Sequence, residues 1–300
     1  MTRPFQLQGA FTALVTPFAA DGEAVDFDAF DASVRRQVEG GIHGLVPCGT
    51  TGESPTLTDD EHFEVVRHTV SVAAGRVPVL AGAGSNSTKK AVRLAQRALE
   101  AGADAVMIVM PYYNKPTQDG LLAHVTKVAG EVGGAPVVLY NVPGRTVVDL
   151  SLDTIGRALD ACSNIVAVKD ASGNVLRCMG AMKRFGERLT VMCGDDALTL
   201  PMMVCGARGV ISVTSNVYPG KVAEVCTLAR EGRWDQARAA HLKLLPVHDS
   251  MFLETSPGPS KAALAHKGLM KLSLRLPLVP PSKATCDAVA ATLSRFEEAR

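Results

Sequence analysis

The sequence predicts a (β/α)8 barrel, the TIM-barrel architecture, followed by a C-terminal helical extension. Three observations carry that reading. Eight apolar, β-branched runs recur along most of the chain, with neighbours roughly 20 to 35 residues apart, about the length of one strand-plus-helix unit. The runs are continuous rather than alternating, as parallel strands buried on both faces require. Between them stand segments with helical spacing. Strand count does not show closure, so a doubly wound open sheet is the alternative.

In chain order, the strand candidates are Ala10–Val15, Gly44–Pro47, Val77–Ala81, Ala105–Met110, Pro136–Tyr140, Ile165–Val168, Leu189–Met192 and Gly209–Val213. The first helix, Phe27–Glu39, places Phe27, Phe30, Val34 and Val38 three or four residues apart. Thr58 opens the next as a capping box with Glu61. Thr88–Glu100 is a third helix, with Gly102 as its stop. Further helices are expected over 118–131, 151–160, 175–185, 196–205 and 219–230. From about Trp234 onward the chain is helical without strand signals, interrupted at Ser256-Pro257-Gly258-Pro259. This divides it into a barrel, residues 1–232, and an extension, residues 233–300.

Composition narrows the function. A net charge of +1 offers no electrostatic case for nucleic acid or an anionic membrane. No stretch reaches the ~18 apolar residues of a spanning helix. Met1-Thr2-Arg3-Pro4 lacks a signal peptide's apolar core, and Glu297-Glu298-Ala299-Arg300 carries no lipidation or retrieval signal. Seven dispersed cysteines without a CxxC pair suit reduced thiols in the cytoplasm. The seven histidines form no HExxH and no Cys/His cluster, so no metal site is expected. His62 and His68 are read as helix-surface residues. GxSxG is absent, which argues against a serine hydrolase. Gly82-Ala83-Gly84-Ser85-Asn86 invites a dinucleotide reading, but residue 87 is Ser where the fingerprint wants Gly or Ala.

Four stretches can carry chemistry. Lys169 follows Ile165–Val168 and precedes Asp170-Ala171-Ser172-Gly173, where a barrel places catalytic side chains. A lysine there is either solvated or tuned for reaction, because desolvation favours the neutral amine. Gly49-Thr50-Thr51-Gly52-Glu53-Ser54 can turn tightly, expose N–H groups to a carboxylate and offer hydroxyls; a capped strand-to-helix turn explains it equally. Tyr140-Asn141-Val142-Pro143-Gly144-Arg145-Thr146 offers a tyrosine acid/base and an arginine fork for a carboxylate, or a packed Tyr and a surface Arg. Pro111-Tyr112-Tyr113-Asn114-Lys115-Pro116 can line a pocket or a subunit contact, or cover a core edge.

In order, GTTGES, PYYN, YNVPGRT, VKDASG, CGDD and GVISVTSN resemble the dihydrodipicolinate synthase family, within the class I pyruvate aldolase and lyase superfamily that also holds N-acetylneuraminate lyase. The resemblance runs from about Gly9 to Pro280. It implies a lyase that condenses pyruvate with L-aspartate-4-semialdehyde to 4-hydroxy-tetrahydrodipicolinate in lysine (diaminopimelate) biosynthesis. It implies Lys169 as the Schiff-base lysine, Tyr140 as the proton shuttle, Thr51 as the relay and Tyr113 as the tyrosine lent to a neighbouring subunit. Thr50 and Thr51 match the pyruvate carboxylate site, Arg145 the aldehyde's carboxylate binder, and Gly194 and Ile211 positions with backbone carbonyls at the site. No cofactor is implied beyond the covalent imine, and the family pattern implies a homotetramer, a dimer of dimers. Two alternatives remain: a paralogous pyruvate-dependent aldolase, lyase or dehydratase acting on a sugar acid or other keto acid, and a non-catalytic barrel that senses a keto acid.

Some positions depart from the family. Asp170 stands where many relatives carry Glu, and Ser256-Pro257 replaces an expected Asn-Pro. Ser54, His62, Asn86 and Tyr112 resemble parts of the family's lysine feedback pocket. Yet Lys90 falls where sensitive relatives place a glutamate, and Asp59 replaces a histidine. A like charge there opposes a lysine ligand, so weak or absent feedback inhibition is expected.

Overall fold

A computed structural model describes residues 5–298. Met1–Pro4 and Ala299–Arg300, parts of the terminal stretches read above, lie outside the described residues. The strands are β1 (Gly9–Ala13), β2 (Gly44–Val46), β3 (Leu80–Gly82), β4 (Ala105–Val109), β5 (Val137–Asn141), β6 (Ile165–Asp170), β7 (Thr190–Cys193) and β8 (Gly209–Ser212). They pair in parallel in the order β2-β1-β8-β7-β6-β5-β4-β3. The two ends of that order meet: a parallel bridge joins Leu45 to Val79, and Gly82 N donates to Pro47 O at 2.9 Å. The sheet therefore curls into a barrel rather than lying open.

Helices α1 (Phe27–Glu39), α2 (Asp59–Ala73), α3 (Thr88–Glu100), α4 (Gln118–Gly130), α5 (Pro143–Thr146), α6 (Leu152–Ala161), α7 (Val175–Phe185), α8 (Thr199–Val204) and α9 (Pro219–Arg230) alternate with the strands. Their starts are local events. Asp26, Ser87, Thr117, Ser151 and Asn174 each cap a first turn through the side chain. Both arms of the Thr58–Glu61 capping box form. Helices α10 (Trp234–Ser250), α11 (Gly258–His266) and α12 (Lys283–Glu298) complete the chain.

Three elements differ from expectation for identifiable reasons. β3 begins at Leu80 rather than Val77, because Pro78 has no N–H and Val79 N donates to Asp104 Oδ2 at 2.8 Å instead of to a strand. β1 ends before Val15, whose N–H is taken by Asn216 Oδ1 at 3.1 Å. The helix expected over 196–205 splits into a 3-10 turn, Asp196–Leu198, and α8, because the Asp196 carboxylate turns inward to β8.

Pleating sorts the apolar runs onto two faces. Phe11, Ala13, Val46, Leu80, Met107, Val138, Tyr140, Ala167, Met192 and Ile211 fill the barrel interior. Ala10, Val106, Ile108, Leu139, Val168, Val191 and Val210 pack outward under the helices. A third cluster joins Val15, Val213, Val217 and Tyr218 to Val247, Met251, Ala263, Leu264, Val289 and Leu293. The extension thus shares a core with the barrel beside the C-terminal ends of β1 and β8.

Candidate active site

Lys169 lies within β6, which runs on to Asp170, rather than in the loop beyond it. Ala167 two residues earlier faces the barrel interior, and pleating turns Lys169 the same way. Its neighbours in register are Tyr140 on β5 and Met192 on β7. The amine sits 4.1 Å from the centroid of the Tyr140 ring, and both side chains are buried. The ring face supplies an electrostatic partner that does not neutralise the amine.

Asp170 faces outward. Its carboxylate takes hydrogen bonds from Arg177 Nε at 2.6 Å and from Ser172 N at 2.9 Å. Its carbonyl accepts from Gly194 N at 2.7 Å. A Cβ on Gly194 would lie 2.7 Å from Ala171 Cβ, so the close approach of β7 to the lysine strand requires glycine. Ile211 is buried in the barrel interior and pairs with Phe11.

The loop carrying Thr50 and Thr51 is pinned on several sides. Glu53 N donates to Thr50 O at 3.1 Å, and Thr16 Oγ1 donates to Gly52 O at 2.8 Å. The left-handed conformations fall on Cys48 and Glu53, not on the two glycines. Gly52 is needed instead for close packing, since a Cβ there would meet Leu14 O at 3.1 Å. Thr51 is buried and Thr50 partly so. Among the described residues, five of the six non-glycine residues at positive φ, namely Cys48, Glu53, Tyr113, Lys115 and Val147, lie in loops at the ends of β2, β4 and β5. Such strain clusters at functional sites.

A cavity of about 240 Å³ opens among these loops. Thr50, Arg145 and Val142 line it together with Ser54, Asp59, His62, Lys90 and Tyr112. Lys169, Tyr140 and Thr51 are not among its lining residues. Arg145 is exposed on the single turn α5, and among the described residues its Nη2 reaches only Ser256 O, at 3.5 Å. The guanidinium is therefore available to an anion at the mouth. Tyr113 is 88% exposed, so the chain's own fold does not bring it to Lys169.

One expectation needs correction. His62 is not a helix-surface residue: it is buried, and its Nε2 lies 2.7 Å from Gly82 O. Burial holds its imidazole below the ordinary range. The signal was present, since His62, Val65, Val66 and Thr69 form one helical stripe. Asn86 does not line the cavity; its carbonyl holds Asn114 Nδ2 at 2.9 Å. His68 is half-buried, 2.9 Å from Asp31 Oδ1 and stacked on Phe27.

Other buried polar clusters emerge only in three dimensions. Asp196, the second acid of CGDD, is buried and accepts from Ser212 Oγ, from Val213 N at 2.8 Å and from Thr214 N at 3.3 Å. His248 of α10 meets Thr214 Oγ1 at 2.8 Å. Glu53, Lys261 and Arg275 form a second cluster. Glu53 and Lys261 pair with both side chains fully buried, and Arg275 N donates to Glu53 Oε2 at 3.1 Å. Burial pushes the Lys261 ammonium down to about 8 against the opposing pull of Glu53. Lys261 is far from Glu53 in sequence, so no local pattern marks the pair. Among the described residues, no group of three or more His, Cys, Asp or Glu side chains could hold a metal ion, and no helix is long and apolar enough to cross a membrane.

The fold and site together define a (β/α)8-barrel protein with a buried lysine at the C-terminal end of its sixth strand, packed on a tyrosine from the fifth. The model of the dihydrodipicolinate synthetase family matches residues 6–296, and the chain belongs to that family. The 4-hydroxy-tetrahydrodipicolinate synthase of Sorangium cellulosum (strain So ce56) is 58% identical over 98% of this chain and 97% of its own. The solved structure of the 4-hydroxy-tetrahydrodipicolinate synthase from Methylacidiphilum fumariolicum SolV superposes with a TM-score of 0.95 at 42% identity, covering 98% of this chain and 97% of that one. A solved structure described as the first monomeric dihydrodipicolinate synthase variant is also similar, with a TM-score of 0.93 and 37% identity over 97% of each chain.

Proposed function

We propose that the protein is a lyase that condenses pyruvate with L-aspartate-4-semialdehyde to 4-hydroxy-tetrahydrodipicolinate, through an imine on Lys169. Family membership and curated relatives bearing that activity in their names support the reading. The observation that carries the chemistry is the buried Lys169 amine against Tyr140, with the Arg145 guanidinium open at the mouth.

The reaction follows from those groups. The neutral Lys169 amine attacks the pyruvate ketone, and the carbinolamine loses water to give the imine. The protonated imine is an electron sink, so the methyl group loses a proton and becomes an enamine. That carbon bonds to the semialdehyde carbonyl carbon, whose oxygen takes a proton and becomes the 4-hydroxyl. The substrate's amine then adds to the imine carbon, closes the ring and expels Lys169. Tyr140 serves the proton transfers, with Thr51 and a partner's tyrosine at position 113 as the relay. Thr50 and Thr51 hold the pyruvate carboxylate, Arg145 holds that of the semialdehyde, and Gly194 and Ile211 present backbone carbonyls. The imine supplies the electron sink, so the scheme calls on no separate cofactor.

Tyr113 points to the active assembly. A second copy must supply it, which makes the working unit at least a dimer and, on the family pattern, a tetramer of two such dimers. The barrel of residues 1–232 carries the chemistry, residues 233–300 buttress it, and the setting is cytoplasmic. Ser54, His62, Asn86 and Tyr112 form a weak site for lysine. Asp59 there is engaged by Arg93 at 2.5 Å and Lys90 at 3.9 Å, leaving cationic charge in excess.

The test is turnover with aspartate-4-semialdehyde, coupled to reduction of the product, with borohydride trapping and peptide mass mapping in parallel. Turnover with the pyruvate adduct on Lys169 supports the proposal. An adduct without turnover moves the assignment to another aldehyde or sugar acid, and pyruvate binding without an adduct moves it to a sensor.

A further inference from the structure

We infer that the buried Glu53–Lys261 pair is a positioning device, through which the C-terminal extension sets the geometry of the Thr50–Thr51 loop and hence pyruvate binding. The inference rests on those threonines holding the pyruvate carboxylate. Glu53 directly follows Gly52 and closes the loop, its N–H donating to Thr50 O at 3.1 Å. It does so at φ 54°, a left-handed conformation unfavourable for a side chain with a Cβ. Something outside the loop must therefore hold it there.

The side-chain contacts identify what does. Glu53 is paired with Lys261 of α11, and neither side chain has exposed surface. Its second oxygen accepts from Arg275 N at 3.1 Å. Lys261 Nζ is tethered in turn to Ser273 O at 2.9 Å. Lys261 and Arg275 both stack on the buried Phe18 ring, at 4.2 Å and 4.4 Å from its centroid. The Arg275 guanidinium donates to Gly22 O, Thr56 O and Glu61 Oε2 at 2.8, 2.9 and 2.8 Å. Thr56 lies in the turn just after Glu53 and also donates to it, from Oγ1 to Glu53 O at 3.0 Å. The extension thus grips both the side chain that ends the loop and the backbone that follows.

A buried ion pair is a poor choice for stability alone, because well-packed apolar residues often serve as well. Its distinctive property is directional, fixing one register where apolar contacts tolerate several. Here that register is the placement of Thr50 and Thr51. Glu53 and Lys261 touch no substrate in this scheme, and act through the loop.

The double variant Glu53→Gln/Lys261→Met removes both charges at similar volume and leaves no orphaned ion. Steady-state kinetics on the folded double variant should show pyruvate KM raised about tenfold, because small misplacements of binding groups are costly. The semialdehyde KM should stay within about twofold. An unchanged pyruvate KM, or equal rises for both substrates, overturns the inference. If the double variant does not fold, Glu53→Asp keeps the charge and withdraws it by one methylene; an unchanged pyruvate KM there overturns it equally. Borohydride trapping on the wild type separates the two levels. No adduct on Lys169 removes the functional reading and this inference with it, whereas an adduct with an unmoved variant KM removes the inference alone.

Discussion

Acidification should destabilise the fold through His124, by an amount the structure specifies. His124 lies on α4 with 4% of its surface exposed, and its Nδ1 is 2.9 Å from Thr88 Oγ1. Burial holds its imidazole down to about 4, against an ordinary value of 6.5. Between those values the folded chain keeps His124 neutral while the unfolded chain protonates it. The unfolded state binds more protons in that window, so stability falls as pH falls from about 6.5 to 4. From pH 7 to pH 5 the loss is about 2 kcal/mol, roughly thirtyfold in the folding equilibrium. His124→Asn cannot take up that proton and can still meet Thr88. Urea unfolding of both proteins at pH 7 and pH 5 gives the comparison. The wild type should lose about 2 kcal/mol more than the variant over that interval. Equal losses would show that His124 does not titrate as its burial requires. His62, His241 and His248 are also shifted downward by burial, so both proteins should retain a common acid sensitivity.

Four further outcomes are expected. Lys169→Ala should abolish borohydride-trapped pyruvate adduct, while Arg145→Ala keeps the adduct and loses about 10- to 100-fold in kcat/KM for the semialdehyde, the range of a charged hydrogen bond; an Arg145 variant with normal semialdehyde kinetics would remove its assigned role. Mixing Lys169→Ala and Tyr113→Phe chains should restore activity through mixed dimers that hold one intact site, and two inactive parents that stay inactive together would place Tyr113 outside the site. Lysine should inhibit weakly, with no half-maximal effect at submillimolar concentration, and Lys90→Glu should tighten it; a submillimolar inhibition curve for the wild type would contradict the charge argument. Gly82→Ala should destabilise the protein by about 1–3 kcal/mol or more, because its Cβ would fall 2.2 Å from Cys48 O, and an unchanged thermal midpoint would refute that packing.

Local interactions made much of this protein legible in its sequence. Helical spacing and the Thr58–Glu61 box place α1 and α2 because their causes lie within one or two turns. The apolar runs locate the strands, and the barrel arrangement puts Lys169 and Tyr140 at strand ends. Tertiary structure decided what local pattern does not encode. Pro78 sends neighbouring backbone groups elsewhere, so β3 starts late, a result that depends on Asp104 arriving from the next unit. His62 is polar in composition yet sits on the buried stripe of α2, because the facing Gly82 carbonyl offers it a partner. Closure depended on β2 meeting β3 across the seam. The Glu53–Lys261 pair depended on α11 reaching the loop after β2. Hydrogen-bonded turns and amphipathic faces are specified by neighbours in sequence, whereas a buried charge is specified by whichever distant group satisfies it, and only the folded chain selects that group.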